Sequence, residues 1–285
     1  MNQEKEEIRI MCSDGVELRA SRFDGPEHED CRGVMIVCSA LGVGRRFYDP
    51  FARFFSGKGF RVITFDFRGT GESKGKDPAP CLEDWARQDI RAVIERAKEF
   101  SFRVILVGHS VGGQLFCLAE NCQDLTGVVL AGASFPHWTR WPFPRNLLML
   151  FFLHLLVPLL GMGRKRFPTR MLGLSKEDMP ASLIRRWAQL ARNPDYVLGK
   201  KFQLQTSGYR ELSCPILSFG FDDDTYAPEI SVKKLLSCFT HASVDARFLT
   251  AEQVCSKGVG HFGYFREDIS QDLWLDTLRW IDNLE

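Results

Sequence analysis

The sequence predicts an α/β protein, a mostly parallel sheet with helices on both faces. Apolar runs at residues 33–38, 60–65, 104–108 and 126–131 are continuous rather than alternating, as in strands covered on both sides. Segments with apolar residues at helical spacing lie between them, and repetition at this rhythm belongs to parallel sheets. With 285 residues, 45% of them apolar and 26% charged, the chain can bury a sizeable core without disulfides or metal.

Taken in order, residues 8–12 and 16–22 flank Ser13-Asp14-Gly15, and Asp-Gly between alternating runs signals an antiparallel hairpin. A polar loop at 25–32, holding His28, precedes the strand at 33–38, which ends in the small-residue loop Ser39-Ala40-Leu41-Gly42-Val43-Gly44. Phe47, Phe51, Phe54 and Phe55 fall at helical spacing, and Gly57 and Gly59 close that helix. The strand at 60–65 runs into a Gly-rich turn, Asp66-Phe67-Arg68-Gly69-Thr70-Gly71-Glu72-Ser73. Residues 84–100 then form an amphipathic helix with Trp85, Ile90, Val93, Ile94 and Ala97 on one face. A strand over 104–108, a helix over 114–121 and a strand over 126–131 complete this half.

The alternation breaks after residue 134. From 135 to 209 there is no strand-like run; the stretch holds Trp138, Trp141 and Trp187, several prolines and an apolar block at 147–160, and its segment 182–191 puts Ile184, Trp187, Ala188 and Ala191 on one helix face. We read it as a helical cap inserted between two parts of one core, 1–134 and 210–285. The block is 14 residues long and contains His154 and Pro158, too short for the roughly 20 residues that span a bilayer. It therefore reads as a buried helix over a site, with a shallow membrane contact for a lipid substrate as the alternative and no stable membrane insertion. Alternation resumes with a strand at 215–220, a helix at 231–238, a strand at 243–249 and a helix at 271–284.

Lys plus Arg number 37 against 36 Asp plus Glu, which argues against a nucleic-acid partner or an electrostatically held surface. Nine cysteines, an odd number with no C-x-x-C pair and no metal-ligand spacing, read as reduced thiols of a cytoplasmic protein without a metal site. The N-terminal residues are charged and lack the apolar segment of an export signal.

The strand at 104–108 stops at Gly108-His109-Ser110-Val111-Gly112, a G-x-S-x-G. A serine on a tight strand-to-helix turn needs small neighbours, because side chains would collide there. To act as a nucleophile it also needs an imidazole to take its proton and a carboxylate to hold that imidazole, in the chain order Ser, acid, His. Both should follow late strands, since parallel sheets bind ligands at their carboxyl ends. After the strand at 215–220 come Asp222-Asp223-Asp224, any of which could be the acid; after the strand at 243–249 comes Gly260-His261-Phe262-Gly263, with His261 the candidate base. The oxyanion would be held by the backbone N–H of Val111 and that of Leu41 or Ala40. His109 adjoins the serine but diverges from it around the turn and packs beside the site; with Trp138, Trp141, Phe151 and His154 it is a candidate substrate contact. His137 and His241 read as structural or solvated.

Gly-His-Ser-Val-Gly-Gly at 108–113, Asp-Phe-Arg-Gly-Thr-Gly-Glu-Ser at 66–73, the Asp run before Pro228 and Gly-His at 260–261, in this order, resemble the α/β-hydrolase superfamily over nearly the whole chain. Residues 40–48, 223–228 and 260–266 are similar to a bacterial group of α/β-hydrolases related to serine-aminopeptidase-like and monoacylglycerol-lipase-like proteins. The resemblance implies an eight-stranded sheet with a cap after the sixth strand, no cofactor, Ser110 as nucleophile and His261 as base. It places the acid three residues after Gly220, at Asp223. Where many relatives carry His-Gly before the oxyanion loop, this chain has Ser39-Ala40. The expected function is hydrolysis of an ester, thioester or amide of an apolar acyl group through an acyl-serine, with a small-molecule substrate; the alternatives are a non-catalytic ligand-binding protein of this fold and a Ser-dependent acyltransferase.

Overall fold

A computed structural model describes residues 4–25, 31–75, 79–255 and 257–284. Residues 26–30 of the expected polar loop, His28 among them, and residues 1–3 of the charged N-terminus lie outside the described residues. The core strands are β1 (Glu4–Met11), β2 (Glu17–Asp24), β3 (Val34–Cys38), β4 (Arg61–Phe65), β5 (Val104–His109) and β6 (Gly127–Ala131). After the insertion, whose short strands are β7 (Arg166–Phe167) and β8 (Met179–Pro180), come β9 (Ile216–Phe221) and β10 (Val244–Leu249). Eight of these form one sheet in the order β1-β2-β4-β3-β5-β6-β9-β10. Pairing is antiparallel from β1 through β2 to β4, as the Asp14-Gly15 turn foretells, and parallel from β4 to β10.

The continuous apolar runs are explained by where each side chain goes. Successive strand residues point to opposite faces, so Val34, Ile36, Leu106, Leu130 and Ile216 enter one apolar layer, while Met35, Val37, Ile105, Val107, Val129 and Leu217 enter the other. The second layer is completed by Phe51 and Phe55 of α1 (Asp49–Ser56) and by Trp274 and Ile281 of α10 (Glu267–Asp282). The first is completed by Val93 and Ile94 of α2 (Arg91–Lys98), Leu115 of α3 (Val111–Leu115), and Leu183 and Ala188 of α6 (Ala181–Ala191).

Three expectations are corrected. The helix expected over 114–121 begins directly at Val111 and ends at Leu115, followed by a 3₁₀ turn at Phe116–Leu118; Gly112 and Gly113 are its early residues, and glycine propagates a helix poorly. The amphipathic helix at 84–100 opens as a π-helical turn, Trp85–Ile90, before α2. The inserted segment is not wholly helical. Between α4 (Arg145–Phe151), a π turn at Phe152–Leu156, α5 (Val157–Gly161) and α6 it carries the antiparallel pair β7–β8, two residues per strand and too short to leave a periodic signal. Three short helices, α7 (Ser207–Glu211), α8 (Glu229–Leu236) and α9 (Ala251–Val254), connect the last strands.

Chain order reverses at β3, which has β4 on one side and β5 on the other. Loops leaving β3 and β5 therefore part at their carboxyl ends and open a crevice there. The loop after β3 is 39–44, and the residue after β5 is Ser110.

Candidate active site

Ser110 occupies φ 50°, ψ −117°, a left-handed-side conformation that non-glycine residues rarely adopt, between the last residue of β5 and the first of α3. The surrounding glycines are required by contacts that differ at each position. A Cβ on Gly108 would lie 2.5 Å from Cα of Gly113, and one on Gly112 would lie 2.3 Å from the carbonyl oxygen of Cys38 at the end of β3. The turn thus packs α3 against both its own strand and the neighbouring one. Val111, as the first residue of α3, has an N–H with no intrahelical acceptor.

The acidic turn after β9 comes one residue later than the sequence suggests. Phe221 extends the apolar run and is itself a strand residue, so the strand ends beyond Gly220. As a result Asp223 does not meet the histidine: its Oδ2 accepts from the N–H of Val259 at 2.8 Å and its Oδ1 from that of Gly260 at 2.9 Å. Asp224 faces His261 instead, with Oδ2 2.8 Å from Nδ1, while its Oδ1 accepts from the N–H groups of Tyr226 and Ala227 at 2.8 and 2.9 Å. Asp222 turns away and accepts from the N–H of Ala251. Burial works to raise the Asp224 pKa, but the hydrogen bond and charge of His261 and the two backbone donors outweigh it, and the net shift is downward. The carboxylate stays ionised and fixes the ring. Gly132, with φ +59°, leaves room for the pair, since a Cβ there would lie 3.0 Å from Nδ1 of His261 and 3.1 Å from Oδ2 of Asp224.

The N–H groups of the two candidate oxyanion donors, Ala40 and Leu41, differ in their partners. The N–H of Ala40 is taken by the hydroxyl of Tyr48 at 2.9 Å. No hydrogen bond among the described residues takes that of Leu41. The Tyr48 hydroxyl also meets Nδ1 of His109 at 2.8 Å, and Nε2 of His109 lies 2.9 Å from the carbonyl oxygen of His261. A carbonyl only accepts, so Nε2 carries the proton and Nδ1 receives one from Tyr48. His109 is fully buried, and burial, reinforced by the neighbouring His261, pushes its pKa down to about 3. It is a neutral imidazole that links the loop after β3 to the loop carrying His261. Its tautomer is fixed by its neighbours. Nothing in sequence spacing points to this chain, in which the hydrogen-bonded pair His109 and His261 is 152 positions apart.

The other expected substrate contacts are dispersed. Trp141 is buried and its indole N–H donates to the carbonyl oxygen of Thr225, tying the inserted segment to the turn that holds Asp224. Trp138 is half-buried against the core, whereas Phe151 and His154 are exposed on the insertion's long helix. A cleft of about 760 Å³ lies beside the loop after β3 instead, lined by Val43, Phe47, Leu174, Met179 and Phe262 with Arg46, Lys74 and Arg166 among its charged residues. The insertion grips this loop directly: Ser175 Oγ donates to the carbonyl oxygen of Gly42 at 2.8 Å, and Gly42 has φ +77°. The Gly-rich turn at 66–73 braces its far end. Asp66 accepts from the backbone N–H of Arg45 at 2.7 Å and from its buried guanidinium, which also reaches Glu72.

A family model described as the alpha/beta hydrolase family matches residues 35–268. Among solved structures, the Pyrococcus furiosus esterase Pf2001 superposes with a TM-score of 0.65 at 16% identity, covering 99% of this chain and 92% of that one. The esterase EaEST from Exiguobacterium antarcticum does so with a TM-score of 0.64 at 16% identity, over 98% and 100% of the two chains. Est1E from Butyrivibrio proteoclasticus, solved with ferulic acid bound, gives 0.63 at 15% identity over 97% and 100%. At these identities the likeness is one of fold. No curated protein matches the sequence.

Proposed function

Because the chain belongs to the alpha/beta hydrolase family, we propose that it is a serine-dependent carboxylic-ester hydrolase with Ser110 as nucleophile, His261 as base and Asp224 as the residue that orients the base. The observation that carries this reading is the His261–Asp224 hydrogen bond on loops following β9 and β10, in a chain whose β5 ends in a serine at φ 50°. The solved esterases of the same fold add weight to an ester as the bond cleaved.

In the proposed reaction, Ser110 Oγ adds to the ester carbonyl carbon and its proton passes to Nε2 of His261. The carbonyl π-electrons move onto oxygen, and the N–H groups of Val111 and Leu41 hold the resulting oxyanion. Collapse breaks the carbon–oxygen bond to the leaving alcohol, which takes the proton from His261. Water then repeats the sequence on the acyl-serine and releases the acid. Asp224, ionised and aimed at Nδ1, keeps the ring in the tautomer that presents a basic Nε2 and stabilises the imidazolium while it exists.

For the acyl group we favour an apolar chain or ring, accommodated against Val43, Phe47, Leu174, Met179 and Phe262. The inserted segment, residues 135–209, acts as a cap that walls this cleft through its 173–179 stretch. Rates on p-nitrophenyl esters of increasing chain length, compared between the native chain and Ser110→Ala, test the reading. Activity on at least one ester that vanishes in Ser110→Ala is expected; equal rates for the two proteins would refute it.

A further inference from the structure

Between Asp124 and Glu177 the sequence contains no carboxylate, yet it contains seven Lys and Arg residues. Over the whole chain the two signs balance at 37 and 36, so positive charge is concentrated on the insertion. The same stretch carries the long helix formed by α4, the π turn and α5. That helix buries Leu153, Val157 and Gly161, facing α6. Its opposite face is also apolar, and exposed: Leu147 is 51% accessible, Leu148 64%, Phe151 53%, Leu155 46% and Leu159 56%.

A surface helix in water carries polar residues on its outer face, and one that is apolar all round is normally buried. This one, apart from Asn146 and the exposed His154, is apolar on both faces and has an uncovered side. Exposed Arg145 stands at one end of the band and exposed Arg164, Lys165 and Arg166 at the other. None of these four has an ion-pair partner among the described residues. Among those residues no helix is long and apolar enough to cross a membrane.

We propose that this face of the insertion docks on an anionic lipid bilayer. The leucines and Phe151 sit at the boundary between headgroups and acyl chains, and the flanking cations meet lipid phosphates. Charge selects this occupant over a second copy of the chain. Two copies paired face to face through a twofold axis would bring the same unpaired cations together across the contact. Arg166 also lines the cleft beside the oxyanion loop, so the bilayer would lie next to its mouth. The proposal does not depend on the serine chemistry.

The test is cosedimentation of the full chain carrying Ser110→Ala with vesicles of phosphatidylcholine alone and of phosphatidylcholine mixed with phosphatidylglycerol. Binding to the mixed vesicles is expected to be at least about tenfold tighter, and to weaken with added salt. Arg164→Gln with Lys165→Gln should weaken it by about 25-fold, near fivefold for each cation. Leu148→Ser with Phe151→Ser should weaken it about tenfold or more. All four side chains are exposed, and thermal melting confirms that each variant is folded. Absence of binding to the mixed vesicles, or equal binding by all variants, overturns the proposal. So does a dimer in sedimentation velocity that Leu148→Ser with Phe151→Ser dissociates while no vesicle binding is seen, which would make a second copy the occupant.

Discussion

Nδ1 of His261 stands 2.8 Å from Oδ2 of Asp224, while Asp223, one residue earlier, spends both carboxylate oxygens on the backbone N–H groups of Val259 and Gly260. Two adjacent carboxylates thus support one histidine in different ways, the first through its loop and the second through its ring. Asp224→Asn should lower kcat by about 10,000-fold with the fold intact, since an amide favours the wrong imidazole tautomer. Asp223→Asn should cost about 1–3 kcal/mol of stability, because the amide NH2 cannot accept one of the two backbone N–H bonds and the remaining one loses its charge assistance, and it should affect kcat far less. Steady-state kinetics and urea unfolding of the pair check this; equal kcat losses would reassign the acid.

Tyr48→Phe removes the partner of both the Ala40 N–H and Nδ1 of His109 inside the protein. The expected destabilisation is about 1–3 kcal/mol for the buried groups left unsatisfied. Because Ala40 precedes the candidate oxyanion donor Leu41, kcat should fall more than KM changes. A variant with unaltered kcat would show that the loop holds its shape without Tyr48.

The pKa of His109 is pushed down to about 3 in the folded chain, against about 6.5 when unfolded. The unfolded chain therefore binds the extra proton between those values, and the folded one does not. His109 contributes fully to stability above the upper value, and that contribution is lost as pH falls below it, by about 1.4 kcal/mol per pH unit. Asp224, with its lowered pKa, acts in the same direction at lower pH. Urea unfolding of the native chain and of His109→Phe between pH 7.5 and 4.5 should give a shallower dependence for the variant; parallel curves would contradict the buried neutral state.

Arg45→Met leaves Asp66 buried without its guanidinium partner, and truncating one side of a buried pair costs about 3–5 kcal/mol. Chemical denaturation measures this directly. A cost below about 1 kcal/mol would show that the remaining backbone donors to Asp66 suffice.

The strands, their parallel arrangement and the positions of Ser110 and His261 can be read in the chain because continuous apolar runs and glycines at a crowded turn leave strong local marks. The carboxylate that faces His261 stands one position beyond Asp223 for a local reason too: Phe221 carries the apolar strand run one residue past Gly220. Other features have no local mark. His109 acquires its role from Tyr48 and from a carbonyl far along the chain. Trp141 donates its indole N–H to the carbonyl oxygen of Thr225 beside Asp224, and Phe151 lies on the outer side of a helix whose apolar residues give no hint of which side is covered.

Whether Ser110 is the nucleophile is decided by intact-mass spectrometry after treatment with a fluorophosphonate. One adduct is expected, mapped to the peptide containing Ser110 and absent from Ser110→Ala; a folded native chain that takes up no label, or a label that persists in Ser110→Ala, would remove Ser110 from that role.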